Sequence, residues 1–210
     1  MKTYRIYLLR HGLTKENLEG RYVGHMDPSL CKEGIEQLDQ MKKDFVYPKA
    51  DALISSPLKR AVESAKILYP DLNPIEVQEL KECNFGEFEG KTAKELQKED
   101  TFPRWLSGED DASPPGGESS SEFGARICKC FEKIVDGIFK SGITDTAIIT
   151  HGGVIMTILE SYGIPELRAT DWLTSNGCGY AIHINAHLWS VMRKFEVAGQ
   201  LPMEKLKEEK

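Results

Sequence analysis

Long hydrophobic runs are missing from this chain. No apolar stretch approaches the roughly 20 residues a membrane helix needs. The amino-terminal MKTYRIYLLRHG has no adequate signal-peptide core before charge returns at Arg10. Cysteines are few and odd in number: Cys31, Cys83, Cys128, Cys130 and Cys178. They form no paired CxxC motif, and Cys128-x-Cys130 has no histidine near it, so disulfide scaffolds and zinc ribbons are excluded. Reduced thiols and a cytoplasmic location are expected. There is no internal repeat at solenoid spacing. There is no P-loop and no carboxylate cluster of the kind that holds Mg²⁺. Positive charge is also short, with 27 Lys+Arg against 33 Asp+Glu and a net charge of −6. Such a chain repels nucleic acid and anionic lipid, so neither is an expected partner. An anionic ligand would have to meet a local basic pocket.

What is present is an ordinary globular balance, 40% hydrophobic and 29% charged in 210 residues. Strand-like runs alternate with helical ones, which predicts an α/β domain with a largely parallel sheet. Strands are expected over Thr3–Leu9, Asp51–Ser55, Ile75–Val77 and Thr146–Thr150. Helices are expected over Lys32–Phe45, Leu58–Leu68, Thr92–Gln97, Glu122–Phe139 and Val154–Tyr162. Glu82–Gly90 and the Pro/Gly-rich Ser107–Ser121 read as loops. Tyr180–Ile184 and Ser190–Val197 read as a hairpin through Asn185-Ala186-His187, and Met203–Lys210 as a fraying charged tail. His183 and His187 then sit on that hairpin at the surface, not paired on a helix.

Two segments share one design. The first strand runs into Arg10-His11-Gly12, and the Thr146–Thr150 strand runs into His151-Gly152-Gly153. Open α/β sheets bind ligands beyond the carboxyl ends of their strands. If these strands are neighbours, His11 and His151 face one pocket. A third strand runs into Ser55-Ser56-Pro57-Leu58-Lys59-Arg60, which brings Arg60 to the same edge at the start of a helix. Arg10, Arg60 and Arg21 would supply the local basic cluster. Arginine suits phosphate because its guanidinium forks onto two oxygens and stays charged. Ser55 and Ser56 lack the GxSxG context of a nucleophile.

With these units in view, the chain resembles the histidine phosphatase (phosphoglycerate mutase-like) superfamily over about residues 3–195. The matching blocks, in order, are LLRHGLTKENLEGRYVGHMDPSLCKEG, ALISSPLKRAVESA, ELKECNFGEFEG, PPGGES and IITHGGVI. The look is closest to the α-ribazole phosphatase and broad-specificity phosphatase branch. The resemblance implies a three-layer α/β/α fold with a mostly parallel central sheet. It implies one domain over 1–202, a small cap inserted at about 85–121, and the charged tail 203–210.

The resemblance also implies roles. His11 stands at the nucleophile position and would become a phosphohistidine. Arg10, Arg60 and His151 stand where phosphoryl oxygens are bound. Asn17, Arg21, Gly24 and Gly152 stand at substrate or phosphate-binding positions. Glu82 stands where many members keep the general acid, with Glu79, Glu87 and Glu89 as competitors. The implied activity is hydrolysis of a small phosphorylated metabolite, such as α-ribazole 5′-phosphate or a sugar or glycolytic phosphate. No metal or cofactor is implied. A cofactor-dependent phosphoglycerate mutase is the alternative, and a non-catalytic phosphoester-binding protein a further one. Phe85, Phe88, Phe102 and Trp105 could wall a pocket for a bulky leaving group or could be core. His25 could line the same pocket. Leu13, Ser29 and Cys31 depart from residues common in relatives, which bears on pocket shape and loop packing. Oligomeric state is open.

Overall fold

The computed structural model describes residues 2–205. Its centre is a seven-stranded sheet of α/β type. The strands are β1 (Thr3–Arg10), β3 (Ala52–Ser55), β4 (Ile75–Glu76), β5 (Asp145–Thr150), β6 (Gly163–Ile164), β7 (Gly179–Asn185) and β8 (Phe195–Leu201). Their order is β4-β3-β5-β1-β7-β8-β6. Strands β1, β3, β4 and β5 are mutually parallel, and β7 runs antiparallel to both its neighbours. The sheet is therefore mostly parallel, with one reversed strand.

The central strands are buried on both faces, so they read as continuous apolar runs. In β1, Ile6 and Leu8 face one core while Tyr7 and Leu9 face another; in β5, Ile148 faces the first and Ala147 and Ile149 the second. The second core is closed by α2 (Lys32–Asp44) and α3 (Lys59–Leu68), through Leu38, Ala61, Ala65 and Leu68. The first is closed by α6 (Ser120–Ser141) and α7 (Gly152–Tyr162), through Ile127, Phe131, Val154 and Ile158. Each buried aliphatic side chain adds roughly 1.5–3 kcal/mol of transfer free energy. Two short helices, α1 (Lys15–Leu18) and α4 (Ala93–Leu96), begin at Thr14 and Thr92, which close capping boxes with Asn17 and Glu95.

Two expectations change, and one helix is new. The supposed 180–197 hairpin contains a helix, α8 (Ala186–Met192), and the next strand begins only at Phe195. Asn185 caps that helix, its Oδ1 accepting from the amides of His187 and Leu188. Trp189 is buried among Phe131, Tyr162 and Phe195, and that packing is what the β-rich composition concealed. His187 is thus exposed on a helix and His183 half-buried on β7. The tail does not fray at its start: Met203–Glu204 (β9) pairs antiparallel with Phe45–Val46 (β2). Residues 206–210 lie outside the described residues. A helix without a sequence expectation, α5 (Thr101–Ser107), packs Phe102 with Phe88 and Leu96 into a small separate core.

Candidate active site

Strands β1 and β5 are neighbours in parallel register, with Arg10 opposite Thr150. His11 follows the last residue of β1, and His151 is the N-cap of α7 directly after β5. Their rings meet nearly edge to face, with centroids 5.1 Å apart. The two strand–His–Gly units therefore deliver both histidines to one point on the sheet edge.

The His11 ring is held in one tautomer. Its Nδ1 lies 2.6 Å from the Gly12 carbonyl oxygen, which can only accept, so Nδ1 carries the proton. Nε2 is then the lone-pair nitrogen, and it accepts from Arg60 Nε at 3.3 Å. Burial and the charge of Arg60 hold His11 well below the usual histidine range, with a smaller push from Arg10. The same causes, burial first, act on His151. Both rings are neutral at neutral pH.

Arg60 is completely buried in the first turn of α3. Its remaining N–H groups donate to the carbonyls of Met26 and Gly24, at 2.7 and 2.8 Å, and of Val23. Arg10 donates through Nη1 to the Thr174 carbonyl at 2.7 Å, and its buried Nε has no partner. His151 Nε2 meets Ser56 Oγ at 2.7 Å, and its Nδ1 has no partner. Two cationic groups and an unsatisfied imidazole nitrogen thus converge. Unpaired buried polar atoms of this kind are costly unless something occupies the site.

Glu82 is buried, with Oε2 accepting from Gly153 N–H at 2.9 Å and Oε1 from the Cys83 amide at 3.0 Å. A Cβ at position 153 would lie 2.3 Å from Glu82 Oε1, so the second glycine after His151 makes room for this carboxylate. The loop carrying Glu82 is clasped by Arg126 on α6, which donates to the carbonyls of Glu79, Lys81 and Glu82 and forks onto Glu118. Of the competing acids, Glu79 and Glu87 are exposed. Glu89 accepts from the amides of His25, Met26 and Phe85.

A cleft of about 590 Å³ opens over this cluster. Arg10, His11, Asn17, Arg21, Glu82 and Gly152 line it. Arg21 does so with its guanidinium already tied to Glu19, Glu95 and the Gly90 carbonyl. Arg60 and His151 lie beneath the lining, in contact with it through His11. Gly24 does not line the cleft; it packs where a Cβ would lie 2.1 Å from the Cys83 carbonyl, and its own carbonyl anchors Arg60. His25 is also absent from the lining. Of the aromatic residues, Phe88 and Phe102 are core, whereas Phe85 and Trp105 join Tyr22 in the cleft wall. Those three rings meet edge to face at 5.4–5.7 Å. Cys31 caps α2, its Sγ accepting from the Gly34 amide, so it does what a threonine there would do. Among the described residues, no group of three or more His, Cys, Asp or Glu side chains could hold a metal ion.

Ser56, Ser64, Thr174 and Asn176 also border this cluster; the two serines lie in the ALISSPLKRAVESA block, whereas Thr174 and Asn176 carry no motif that marks them. Ser64 Oγ accepts from the Gly12 amide and donates to the Arg60 carbonyl. Asn176 Nδ2 donates to the carbonyls of His11 and Gly12. The available signal was topological: the segment before β7 reaches the carboxyl edge of β1 only because β7 is reversed.

A neutral, tautomer-fixed histidine beside two arginines, a second histidine and a carboxylate is a set suited to a phosphate ester. The comparisons agree. The family model described as "Histidine phosphatase superfamily (branch 1)" matches residues 6–196. The adenosylcobalamin/alpha-ribazole phosphatase of Escherichia coli (strain K12) is 28% identical over 186 residues, 86% of this chain and 90% of that one. The 2,3-bisphosphoglycerate-dependent phosphoglycerate mutase of Rhizobium etli (strain CIAT 652) is 31% identical over 140 residues, 58% of this chain and 62% of that one. The crystal structure of the alpha-ribazole phosphatase from Shigella flexneri superposes with a TM-score of 0.80 at 24% identity, covering 97% of this chain and all of that one, which speaks to fold. The chain belongs to the histidine phosphatase superfamily, and its enzyme class is phosphatase.

Proposed function

We propose that this protein hydrolyses small-molecule phosphate monoesters through a phosphohistidine on His11. The observation that carries the reading is the His11 ring itself. Its Nδ1 proton is committed to Gly12, its Nε2 lone pair faces Arg60, and burial keeps it neutral.

The chemistry would run as follows. The Nε2 lone pair attacks phosphorus in line, and the bond to the leaving oxygen breaks. Glu82 gives its proton to that oxygen, so an alcohol departs rather than an alkoxide. Water then attacks the phosphohistidine, surrenders a proton to Glu82, and the phosphorus–nitrogen electron pair returns to Nε2. Arg10, Arg60 and His151 stabilise charge on the transferring oxygens, work that needs positioning more than covalent chemistry. Asn17 and Arg21 border the phosphate, and the 85–121 stretch serves as a cap.

The apolar wall of Tyr22, Phe85 and Trp105 favours a bulky leaving group. That fits the α-ribazole phosphatase activity in the name of the Escherichia coli relative.

The test is phosphate release in EDTA from p-nitrophenyl phosphate, α-ribazole phosphate, sugar phosphates and 3-phosphoglycerate. Release is expected, with the ranking naming the leaving group. Conversion of 3- to 2-phosphoglycerate without release would replace the hydrolase by a mutase. No reaction with any member, together with tight vanadate binding, would reduce the protein to a phosphoester binder.

A further inference from the structure

We propose that Asn176 is a positioning residue that locks both the His11 backbone and the amide of Asn17 for phosphoryl transfer. The inference rests on the phosphohistidine reading and adds a residue to it.

Asn176 is 8% exposed, in the turn just before β7. Its Nδ2 faces three oxygens: the His11 carbonyl at 3.0 Å, the Gly12 carbonyl at 3.3 Å and Asn17 Oδ1 at 3.4 Å. Backbone carbonyls accept only, so the atom facing them is the NH₂ end of the amide. That fixes the next link. The Asn17 atom meeting this NH₂ must be its oxygen, and the Thr14 amide donates to the same atom at 3.2 Å. Asn17, which lines the cleft, therefore keeps its own NH₂ end for a ligand. An amide turned the other way would offer its oxygen to a phosphate and repel it.

The same side chain bears on the nucleophile. The Gly12 oxygen that accepts from Asn176 is the oxygen that accepts the His11 Nδ1 proton. Holding that carbonyl in place holds the ring plane, and with it the direction of the Nε2 lone pair. The following residue works alongside: the Gly177 amide donates to the carbonyls of Arg10 and His11 at 3.0 and 3.2 Å. Gly177 has φ of +78°, which a side chain would strain. Asn176 touches neither the phosphate nor the reacting nitrogen. It acts through Gly12 and Asn17.

A double-mutant cycle of Asn17→Ala and Asn176→Ala tests this, read as kcat/KM on the best substrate and as vanadate Ki, with Tm recorded for each variant. Misplaced positioning groups cost on the order of 10²-fold, so Asn176→Ala should lower kcat/KM by about that factor. If Asn176 acts partly through Asn17, the two losses in vanadate affinity will not multiply: adding Asn176→Ala to Asn17→Ala will weaken vanadate by much less than it does in the wild type. Full multiplication of the vanadate losses, or unchanged kcat/KM in Asn176→Ala, would overturn the proposal. Should Asn176→Ala not fold, Asn176→Asp replaces it. That variant keeps the shape, cannot donate, and is expected to show the same cycle with a larger loss. A wild-type protein that turns over no phosphoester would instead overturn the underlying reading of the site.

Discussion

Strands β1 and β5 lie side by side, and their two ends are built on opposite plans. At the amino end, Arg5 forks onto Asp145 with both bonds at 2.6 Å, and Tyr7 donates to the same carboxylate at 2.7 Å. Charges there are matched, and Asp145 is held down at about 2, first by the Arg5 hydrogen bonds. At the carboxyl end, Arg10 Nε and His151 Nδ1 are buried without partners, and two neutral imidazoles touch. One end pairs its charges and stabilises the fold, with only the buried Thr146 hydroxyl left without a partner beside them. The other leaves two buried nitrogens, Arg10 Nε and His151 Nδ1, without partners, at a cost in stability. The same pair of strands thus separates paired charge from unpaired buried nitrogens by six residues of length.

Breaking the carboxyl end should have the largest effect. His11→Ala should lower turnover on the order of 10⁴-fold or more, with the fold kept by circular dichroism; retained turnover would reassign the nucleophile. Glu82→Gln comes next. Loss on poor leaving groups should be on the order of 10²–10⁴-fold, and much smaller on p-nitrophenyl phosphate, whose leaving group needs no proton. Equal loss on both would move the acid elsewhere.

Breaking the amino end should change stability and not rate. Asp145→Asn removes a charge-assisted pair that is part exposed, so about 1–2 kcal/mol in urea unfolding at pH 7 is expected, with kcat unchanged. A fall in kcat would mean that the two ends communicate.

The smallest effect, and the sharpest comparison, is in pH. At the carboxyl end, His11 and His151 have folded pKa values below their unfolded ones. The unfolded chain binds more protons below about pH 6.5, so their contribution to stability falls as pH drops from there. At the amino end, Asp145 contributes fully above about pH 4, and that contribution is lost as pH falls toward 2. The stability gap between wild type and Asp145→Asn should therefore be flat from pH 7 to 5 and close below 4. A gap that closed already near 6 would assign that window to the wrong end.

The strand–His–Gly units were legible because a short apolar run, a histidine and a glycine are all local. So was Arg60, placed by the strand before it and the helix after it. The cleft wall was half legible: the aromatics of 85–105 stood out, but which of them face inward depended on α5, whose burial of Phe102 no local pattern announced. Helix α8 was misread because Val191, Phe195 and Val197 suggested one strand over Ser190–Val197, and only Asn185 marked a helix start. Asn176 was invisible for a different reason. Its partners are two carbonyls and a side-chain oxygen brought near by strand order, and strand order is a long-range property.

The reversed strand β7 has a consequence in time as well as space. A ribosome releases His11, Arg60, Glu82 and His151 before it releases the turn ahead of β7. A nascent chain at that stage contains every group proposed to touch phosphate, yet lacks the Asn176 and Gly177 donors that tie down the Arg10, His11 and Gly12 carbonyls. The proposed nucleophile is made before the framework that holds it. Synthesis order therefore makes competence a late event, and a product broken off before Asn176 would carry the reagents without the arrangement.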